Sequence, residues 1–203
     1  MTTFIANAAN LAVTPAGAIT ADNVQGALEE LDTSGKHTIW VPYEDMYAST
    51  TSGAAAYSSG DSPTIKGWAF DPATDESVEF AKAFPKSWNE GTLTARFYWM
   101  TAVAESPAHD VIWSIQAKAR GDNDPIAGVY GSAIAVVDTT LNELTLRITA
   151  ETSAITVGDT PAENDMVFFK VSRDADSGGD TVTNDAILLG VKLIFTTNAV
   201  NDD

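Results

Sequence analysis

The fold of this chain is decided by the stretch Thr92-Leu93-Thr94-Ala95-Arg96-Phe97-Tyr98-Trp99-Met100. Apolar side chains stand at every second position, with polar, charged or tyrosine side chains between them. Successive side chains of a β-strand point to opposite faces of the sheet, so a period of two predicts a strand with one buried face. The side chains expected to face the core are Leu93, Ala95, Phe97 and Trp99.

The same period of two recurs from His37 onward. A second long strand is indicated where Val111, Trp113 and Ile115 alternate with polar residues. Further strands are predicted at Thr38–Val41, Ile65–Phe70, Ser77–Phe84, Ala133–Val137, Leu144–Ile148, Met166–Val171 and Ile187–Phe195. Pro, Gly, Asn and Asp residues, which favour turns, separate these segments.

Three links between the predicted strands are too long for tight hairpins. They cover residues 45–63, 121–131 and 149–165. Long connections that carry the chain from one sheet to another are typical of jelly rolls. Because no helical pattern lies between the strands, the sequence predicts a mainly β fold for residues 37–203, an antiparallel jelly-roll-like β-sandwich.

Two short segments precede the predicted sandwich. Residues 1–18 lack periodicity and contain many small residues, Asn and the string Pro15-Ala16-Gly17, so we expect an extended anchoring arm. Residues 19–36 contain one helical pattern, which Thr20 or Asp22 can cap through a side-chain oxygen. The chain is therefore divided into an arm, a short helical linker and the sandwich of residues 37–203.

The helical pattern carries an apolar stripe. Val24, Leu28 and Leu31 are spaced four and three residues apart, so they lie on one side of a helix. A helix of about three to four turns is marginal on its own. We therefore predict that Val24, Leu28 and Leu31 form an oligomer interface in a short bundle. The alternative is a single amphipathic helix packed on its own domain.

Composition excludes several classes of protein. The 203 residues include 28 Asp and Glu against 11 Lys and Arg, a formal net charge of −17. This charge repels nucleic acid and anionic membrane surfaces, so neither is an expected partner. No segment approaches the ~20 apolar residues that cross a bilayer, and we expect no signal peptide and no membrane insertion. Because Cys is absent, disulfides and thiolate metal sites are excluded.

Several strings resemble structural proteins of tailed bacteriophages. Ala21–Leu31 resembles the helical linker near the N-termini of phage fibre proteins. Phe84–Thr92, Ala150–Val157, Arg173–Thr181 and Gly190-Val191 resemble, in this order, a family of phage virion proteins. The resemblance implies a trimeric virion component, made in the host cytoplasm, whose sandwich belongs to a fibre, spike or capsid surface.

The expected function follows from this resemblance. We expect a trimeric short tail fibre or spike that displays the sandwich for attachment to a host-surface glycan. Its N-terminal arm would anchor it to other virion proteins of the capsid or tail. The alternative is a capsid decoration, cement or head-fibre protein with a purely structural role. A polysaccharide hydrolase is a third class with less support.

Catalytic patterns are scarce, so we expect no enzyme. His37 and His109 are the two histidines, and each stands alone in the sequence. The sequence contains no Gly-x-Ser-x-Gly turn for a nucleophilic serine and no Gly-x-x-x-x-Gly-Lys phosphate loop. It also lacks an internal repeat, whereas phage depolymerases are usually built on a long repetitive β-helix.

The densest acidic segment runs from Asp174 to Asp185. Asp174 and Asp176 stand at alternate positions and are followed by glycines and Asp180, a pattern that resembles the start of a calcium loop. Gly178 stands where a ligand is usual, so the pattern favours an acidic turn between two strands. We assign no metal ligand and no cofactor.

The five tryptophans could in principle stack on sugar rings. Trp99 and Trp113 lie on the apolar faces of predicted strands, so we expect them in the core. Trp40 and Trp68 also lie in strand patterns. Trp88 has the most loop-like surroundings, but a buried anchor is the favoured interpretation there as well.

Overall fold

The computed structural model of the chain describes residues 11–15, 20–32, 35–140, 142–199 and 202, except for the side chains of residues 29–32. Within that part of the chain a helix, α1 (Val24–Asp32), precedes twelve strands. The strands are β1 (Lys36–Pro42), β2 (Tyr47–Ala48), β3 (Ala55–Ser58), β4 (Lys66–Phe70), β5 (Ser77–Ala83), β6 (Thr94–Thr101), β7 (Asp110–Arg120), β8 (Ile134–Thr139), β9 (Arg147–Ile148), β10 (Val157–Gly158), β11 (Met166–Arg173) and β12 (Ala186–Thr196). The described residues contain no helix that is long and apolar enough to cross a membrane.

The strands form two six-stranded sheets. Sheet I has the order β3-β4-β12-β6-β9, with β1 beside β12. Sheet II has the order β10-β7-β11-β5-β2, with β8 beside β7. Among the described strands, every ladder is antiparallel except the short β7–β10 pair. The chain passes repeatedly from one sheet to the other, and the expected mainly β, antiparallel sandwich is confirmed.

The nine strands predicted from the sequence are all present, although only Arg147–Ile148 of the predicted 144–148 segment is paired as a strand. The sequence missed β2, β3 and β10, which lie in the long links at 45–63 and 149–165. These strands are only two to four residues long. Segments this short are below the length over which a hydrophobic period can be recognised.

The core lies between the two sheets and is dominated by aromatic rings. The four side chains of Thr92–Met100 that were expected to face inward are all fully buried. Trp113 of sheet II meets three rings of sheet I, with ring centroids 5.0 Å from Phe70, 5.9 Å from Phe97 and 6.1 Å from Trp99. Such pairs contribute ~0.5–1.5 kcal/mol beyond the area they bury. The alternation of apolar residues therefore builds the inner layer of sheet I.

One arginine closes an end of the sandwich. Arg173, at the end of β11, is 0% exposed. Its guanidinium donates two hydrogen bonds to Asp180, Nε to Oδ2 at 3.0 Å and Nη2 to Oδ1 at 2.7 Å. It also donates to the backbone carbonyls of Phe70, Val182 and Asn184 at 3.1, 2.6 and 3.0 Å. All five N–H groups of the side chain are satisfied, so Arg173 joins the loop after β11 to β4 of the other sheet.

The segment before the sandwich folds back on itself. The backbone of Leu11–Val13 pairs with that of Asp22–Val24 through two hydrogen bonds of 2.9 Å. The rest of the predicted arm (residues 1–10 and 16–18) lies outside the described residues. An extended anchoring arm therefore stays a prediction.

The helix begins at an asparagine cap. The backbone N–H of Gly26 donates to Oδ1 of Asn23 at 2.8 Å. This bond satisfies one of the first-turn N–H groups that have no partner inside a helix. The cap is therefore Asn23, the residue directly before α1, and not the predicted Thr20 or Asp22.

The predicted interface stripe lies on this helix. Val24 is half-buried, Leu28 is 55% exposed, and the side chain of Leu31 lies outside the described residues. No member of the buried core clusters in the described part of the chain comes from residues 11–32. The side chains of this helix that the structure describes, those of residues 24–28, therefore add nothing to the core of the sandwich. Its role as an oligomer interface stays a prediction.

Candidate functional site

The outward face of sheet II forms the floor of a groove that runs along β11. Because the strands pair in register, outward side chains of β5, β11 and β7 stand in rows across the sheet. The rows are Ser77–Ser172–Ser114, Glu79–Lys170–Gln116 and Ala81–Phe168–Lys118. Successive rows are about 7 Å apart, two residues along the strand. The floor therefore offers hydroxyl, charged and aromatic groups in that order.

The groove contains a cavity of about 600 Å³ over the serine row. One side is formed by the segment at 49–52 that follows β2, and the other by Ala133 and Ala135 at the start of β8. Lys170 lies at the floor. The lining is mainly small and polar, which suits a ligand rich in hydroxyl groups.

Backbone hydrogen bonds hold the 49–52 side of the groove in place. Ser49 N–H donates to the carbonyl of Ser77 at 3.1 Å, and Ser77 N–H donates to the carbonyl of Ser52 at 2.8 Å. Gly53 is required here because a Cβ would lie 2.3 Å from the carbonyl oxygen of Ser49. The Ser49 hydroxyl then donates to a carboxylate oxygen of Glu79 at 3.2 Å. The segment therefore both extends the sheet edge and orients Glu79.

A lysine supports the opposite side of the groove. Nζ of Lys118 donates to the carbonyls of Ile126 and Gly128, both at 3.2 Å. The same nitrogen lies 4.8 Å from the ring centroid of Tyr130 and 5.8 Å from that of Phe168. A cation this close to an aromatic face is attracted to it. Lys118 therefore fixes the loop and places the Tyr130 ring beside the groove floor.

Arg120 holds the same loop from below. Its Nη2 donates to the carbonyl of Ala127 at 3.0 Å, and its Nη1 pairs with the carboxylate of Asp159. A Cβ at position 128 would lie 1.7 Å from Nη2, so Gly128 permits the close approach of this loop to the guanidinium. Lys118 and Arg120 together therefore fix the loop that forms the side of the groove beside Tyr130.

Two tyrosines flank the charged row of the groove. Tyr47 of β2 lies opposite Glu79 of β5 and is 48% exposed. Burial first, then the negative charge of Glu79 and that of Tyr47 once it ionises, together raise the pKa of Tyr130 to about 12. Burial and Glu79 also raise the pKa of Tyr47. Both phenols are therefore protonated at neutral pH, and each offers a ring and a hydroxyl beside Glu79.

Three carboxylates meet at one end of the groove. Single oxygens of Asp75, Asp174 and Asp176 all lie within 4.8 Å of one another. Burial raises the pKa of Asp174, and the charges of Asp75 and Asp176 raise it further. Oδ1 of Asp75 also accepts from the backbone N–H of Ala175 at 2.8 Å. Carboxylates in this arrangement are the ligands that Ca²⁺ takes in proteins.

The acidic segment Asp174–Asp185 is not a single calcium loop. Asp180 is engaged by Arg173, and Asp185 lines a second cavity of about 390 Å³ with Asp71. The acid that joins Asp174 and Asp176 is Asp75, far away in the sequence and therefore missed. The favoured interpretation of this segment as a turn between β11 and β12 agrees with its backbone, in which Asp180 N–H bonds Ser177 O at 2.9 Å.

One histidine has an acidic partner that sequence analysis missed. Nδ1 of His109 lies 3.5 Å from Oε2 of Glu105 and contacts the carbonyl of Thr181. Glu105 accepts four hydrogen bonds of 2.9–3.1 Å from the backbone and side chains of Thr183 and Asn184. Burial raises the pKa of Glu105, but these bonds outweigh it and hold the pKa below its usual range. The group fastens one loop to another and lies outside the groove.

The buried tryptophans are those that were expected to be buried, and one other is exposed. Trp99 and Trp113 are in the core as expected, and Trp88 is buried against Phe84, with ring centroids 4.6 Å apart. Trp40 differs, because it is 47% exposed on the outward face of sheet I. The alternation in Thr38-Ile39-Trp40-Val41 already indicates this exposure, because Trp40 points to one face of the strand and its neighbours Ile39 and Val41 point to the other.

Comparison with known proteins gives similarity to solved structures alone. No family model matches the sequence, and no curated protein matches it. A xylan-binding module, CBM15, is 15% identical, with 83% of this chain and 100% of that chain covered and a TM-score of 0.45. The CBM22-2 xylan-binding domain of Paenibacillus barcinonensis Xyn10C is 12% identical, with 76% and 97% covered and a TM-score of 0.43. The CBM36-1 domain of a xylanase from the hindgut metagenome of Trinervitermes trinervoides is 10% identical, with 77% and 96% covered and a TM-score of 0.42.

Proposed function

We propose that this protein is a non-catalytic glycan-binding module and that the groove on sheet II is its binding site. The observation that carries the proposal is the row Tyr47–Glu79–Lys170–Gln116, which crosses β2, β5, β11 and β7 in register. A sugar presents apolar C–H faces and hydroxyl edges. Aromatic rings beside charged and amide groups match both.

The row has the hydrogen-bonding capacity that sugar hydroxyls need. Among the described residues, Nζ of Lys170 has no partner, so its three N–H groups are open to a ligand. Glu79 accepts one bond from Ser49, and its remaining lone pairs can accept from hydroxyls. Gln116 donates to the carbonyl of Gly131 at 3.2 Å, which leaves its amide oxygen as an acceptor. Donors and acceptors therefore alternate along the row.

The groove also favours a chain of sugars over a single small molecule. Its floor follows β11 through Ser172, Lys170 and Phe168, over rows about 7 Å apart. The serine hydroxyls can meet one sugar, the charged row a second, and the Phe168–Tyr130 rings a third. Each contact is weak by itself, and several together give useful affinity.

The test is calorimetric titration with soluble oligosaccharides, including xylohexaose, cellohexaose and fragments of bacterial surface polysaccharide. Tyr47→Ala and Lys170→Ala should each weaken binding about tenfold, because one removes a ring and the other a charge-assisted hydrogen bond. Lys66→Ala, which removes an exposed lysine from sheet I, is the matched control and should bind as the parent does. Binding that both groove variants leave unchanged would disprove the site. Release of new reducing ends would disprove the non-catalytic role.

We further propose that the module is displayed on a virion as a trimeric short fibre or spike, anchored through its N-terminal arm. The support is the resemblance of Ala21–Leu31 and of the later strings to phage structural proteins. Three sandwiches on one axis would bind a glycan-covered surface more tightly than one, because the first contact raises the effective concentration of glycan for the other two. Quantitative staining of purified particles tests this role. A few tens of copies per particle are expected of a fibre, whereas hundreds would identify the capsid cement alternative.

A further inference from the structure

The outward face of sheet I carries the most exposed of the five tryptophans. Ile39 and Val41 of β1 turn toward the core, so Trp40 between them points away from it. This face lies on the opposite side of the sandwich from the groove. Neither the core nor the proposed glycan groove uses the exposed indole.

A glycine in the central strand makes room for this indole. A Cβ at Gly190 would lie 2.4 Å from Cη2 and 2.5 Å from Cζ2 of Trp40. The indole therefore lies across β12, where no side chain stands in its way, and reaches Tyr98 of β6. The two ring centroids are 4.8 Å apart, with an interplanar angle of 77°. The ring is thus held in one position while about half of its surface is open to solvent.

Cations surround this aromatic pair. Lys192 stands in register between Trp40 on β1 and Arg96 on β6. Nζ of Lys192 has no partner among the described residues. Lys36 and Arg96 lie 3.6 and 3.8 Å from the carboxylate of Glu151. Three cations against one carboxylate form a local positive excess in a chain whose net charge is −17.

We propose that this face is a second binding site, specific for an acidic saccharide such as a uronic acid unit of a polysaccharide. The pyranose ring stacks on the open face of Trp40, and its carboxylate pairs with Lys192 and the outer edge of Arg96. Neighbouring strands are about 4.8 Å apart, so Lys192 stands one strand spacing from Trp40 and Arg96 two, on the side toward which the indole extends across β12. The positive excess selects an anionic sugar over a neutral one.

The experiment titrates the full chain with tetragalacturonic acid and, separately, with neutral cellotetraose. Tryptophan fluorescence and calorimetry are the readouts. Tetragalacturonate should bind at least about tenfold more tightly than cellotetraose and more weakly as salt increases. Trp40→Ala and Lys192→Glu should each weaken tetragalacturonate binding about tenfold or more. Lys86→Gln removes an exposed lysine elsewhere and should leave that binding unchanged.

Three results would overturn the second site. They are equal affinity for the two sugars, tetragalacturonate binding that survives both substitutions, and self-association that Trp40→Ala abolishes, which would make the face a contact between copies. Lys192→Glu leaves the aromatic pair in place, so it carries the test if Trp40→Ala lowers the melting temperature. Neutral-sugar binding in the groove is measured through Tyr47→Ala, so the two sites can fail independently.

Discussion

The β-sandwich and the segment that precedes it differ in where their apolar side chains go. In the sandwich, the inward residues of both sheets form one buried cluster around Trp113. In the preceding segment, Leu11 is 54% exposed and Leu28 is 55% exposed. The segment pairs with itself through backbone bonds, and no residue of it joins the core among those described.

The two regions therefore depend on different partners for their order. The sandwich buries its own apolar surface, so it can fold as a single copy. The exposed leucines of the segment gain from burial against another body, about 25 cal/mol for each Å² removed from water. A second copy of the helix, or a different protein, would supply that body.

The largest loss of stability is expected from a substitution at Arg173. Arg173→Ala removes the cation that pairs with Asp180, so the buried carboxylate loses its charge partner and keeps the hydrogen bond from the backbone N–H of Ile112. It also removes the donors to the backbone carbonyls of three other residues. Loss of one partner of a buried ion pair costs about 3–5 kcal/mol of unfolding free energy. Chemical denaturation followed by fluorescence measures it. Lys66→Ala should change stability by less than ~0.5 kcal/mol, and a similarly small loss for Arg173→Ala would show that the arginine does not hold this end together.

A smaller effect concerns the Glu105 attachment, also within the sandwich. Glu105→Gln puts an amide among donors that need an acceptor, and we expect a loss of about 1–3 kcal/mol at pH 7. Because the folded state lowers the pKa of Glu105, its stabilisation is full above the unfolded-state pKa of ~4.3 and is lost as pH falls through the folded pKa. The unfolding free energy, measured by chemical denaturation at several pH values from 7 to 3, should therefore decrease less for Glu105→Gln than for the parent. Identical pH profiles would contradict the assignment.

The fold could be predicted from the sequence because its main signal is local. Alternation in Thr92–Met100 and in β7 reports burial of one face wherever the strand lies in the sheet. The order of the strands is set by long-range pairing, which leaves no local pattern. Short pieces such as β2 and β10 are strands only because a longer neighbour offers backbone partners.

The candidate sites were largely beyond sequence analysis for the same reason. Tyr47, Glu79 and Lys170 become one row only when β2, β5 and β11 lie side by side. Asp75 and Asp174 are far apart in the sequence, and only the fold brings their carboxylates together. Trp40 is the exception, since its opposition to Ile39 and Val41 was visible in the strand itself.

Removal of the N-terminal segment should leave the stability of the sandwich almost unchanged. A chain that starts at Gly35 keeps the carbonyl to which Thr197 N–H donates at 3.0 Å, and it keeps β1 whole. Its unfolding free energy should lie within ~0.5 kcal/mol of that of the full chain, because no residue before Gly35 belongs to the buried core clusters, among those that the structure describes. Calorimetry of both chains at a concentration where each is monomeric makes the measurement. A loss of several kcal/mol would mean that the sandwich is incomplete without residues 1–34.

The smallest expected effect on the sandwich comes from Leu28→Asp, although the same change should have the largest effect on assembly. Leu28 is more than half exposed, so its replacement leaves the melting temperature of the sandwich unchanged. If Val24, Leu28 and Leu31 gather the helices of several copies, the new carboxylates repel one another at the axis and have no cation to pair with. Light scattering should then report monomers for Leu28→Asp and oligomers for both the parent and Leu28→Met, which keeps an apolar side chain of similar size. An oligomer that survives Leu28→Asp would place the contact between copies elsewhere, and the exposed leucines would then await a different protein.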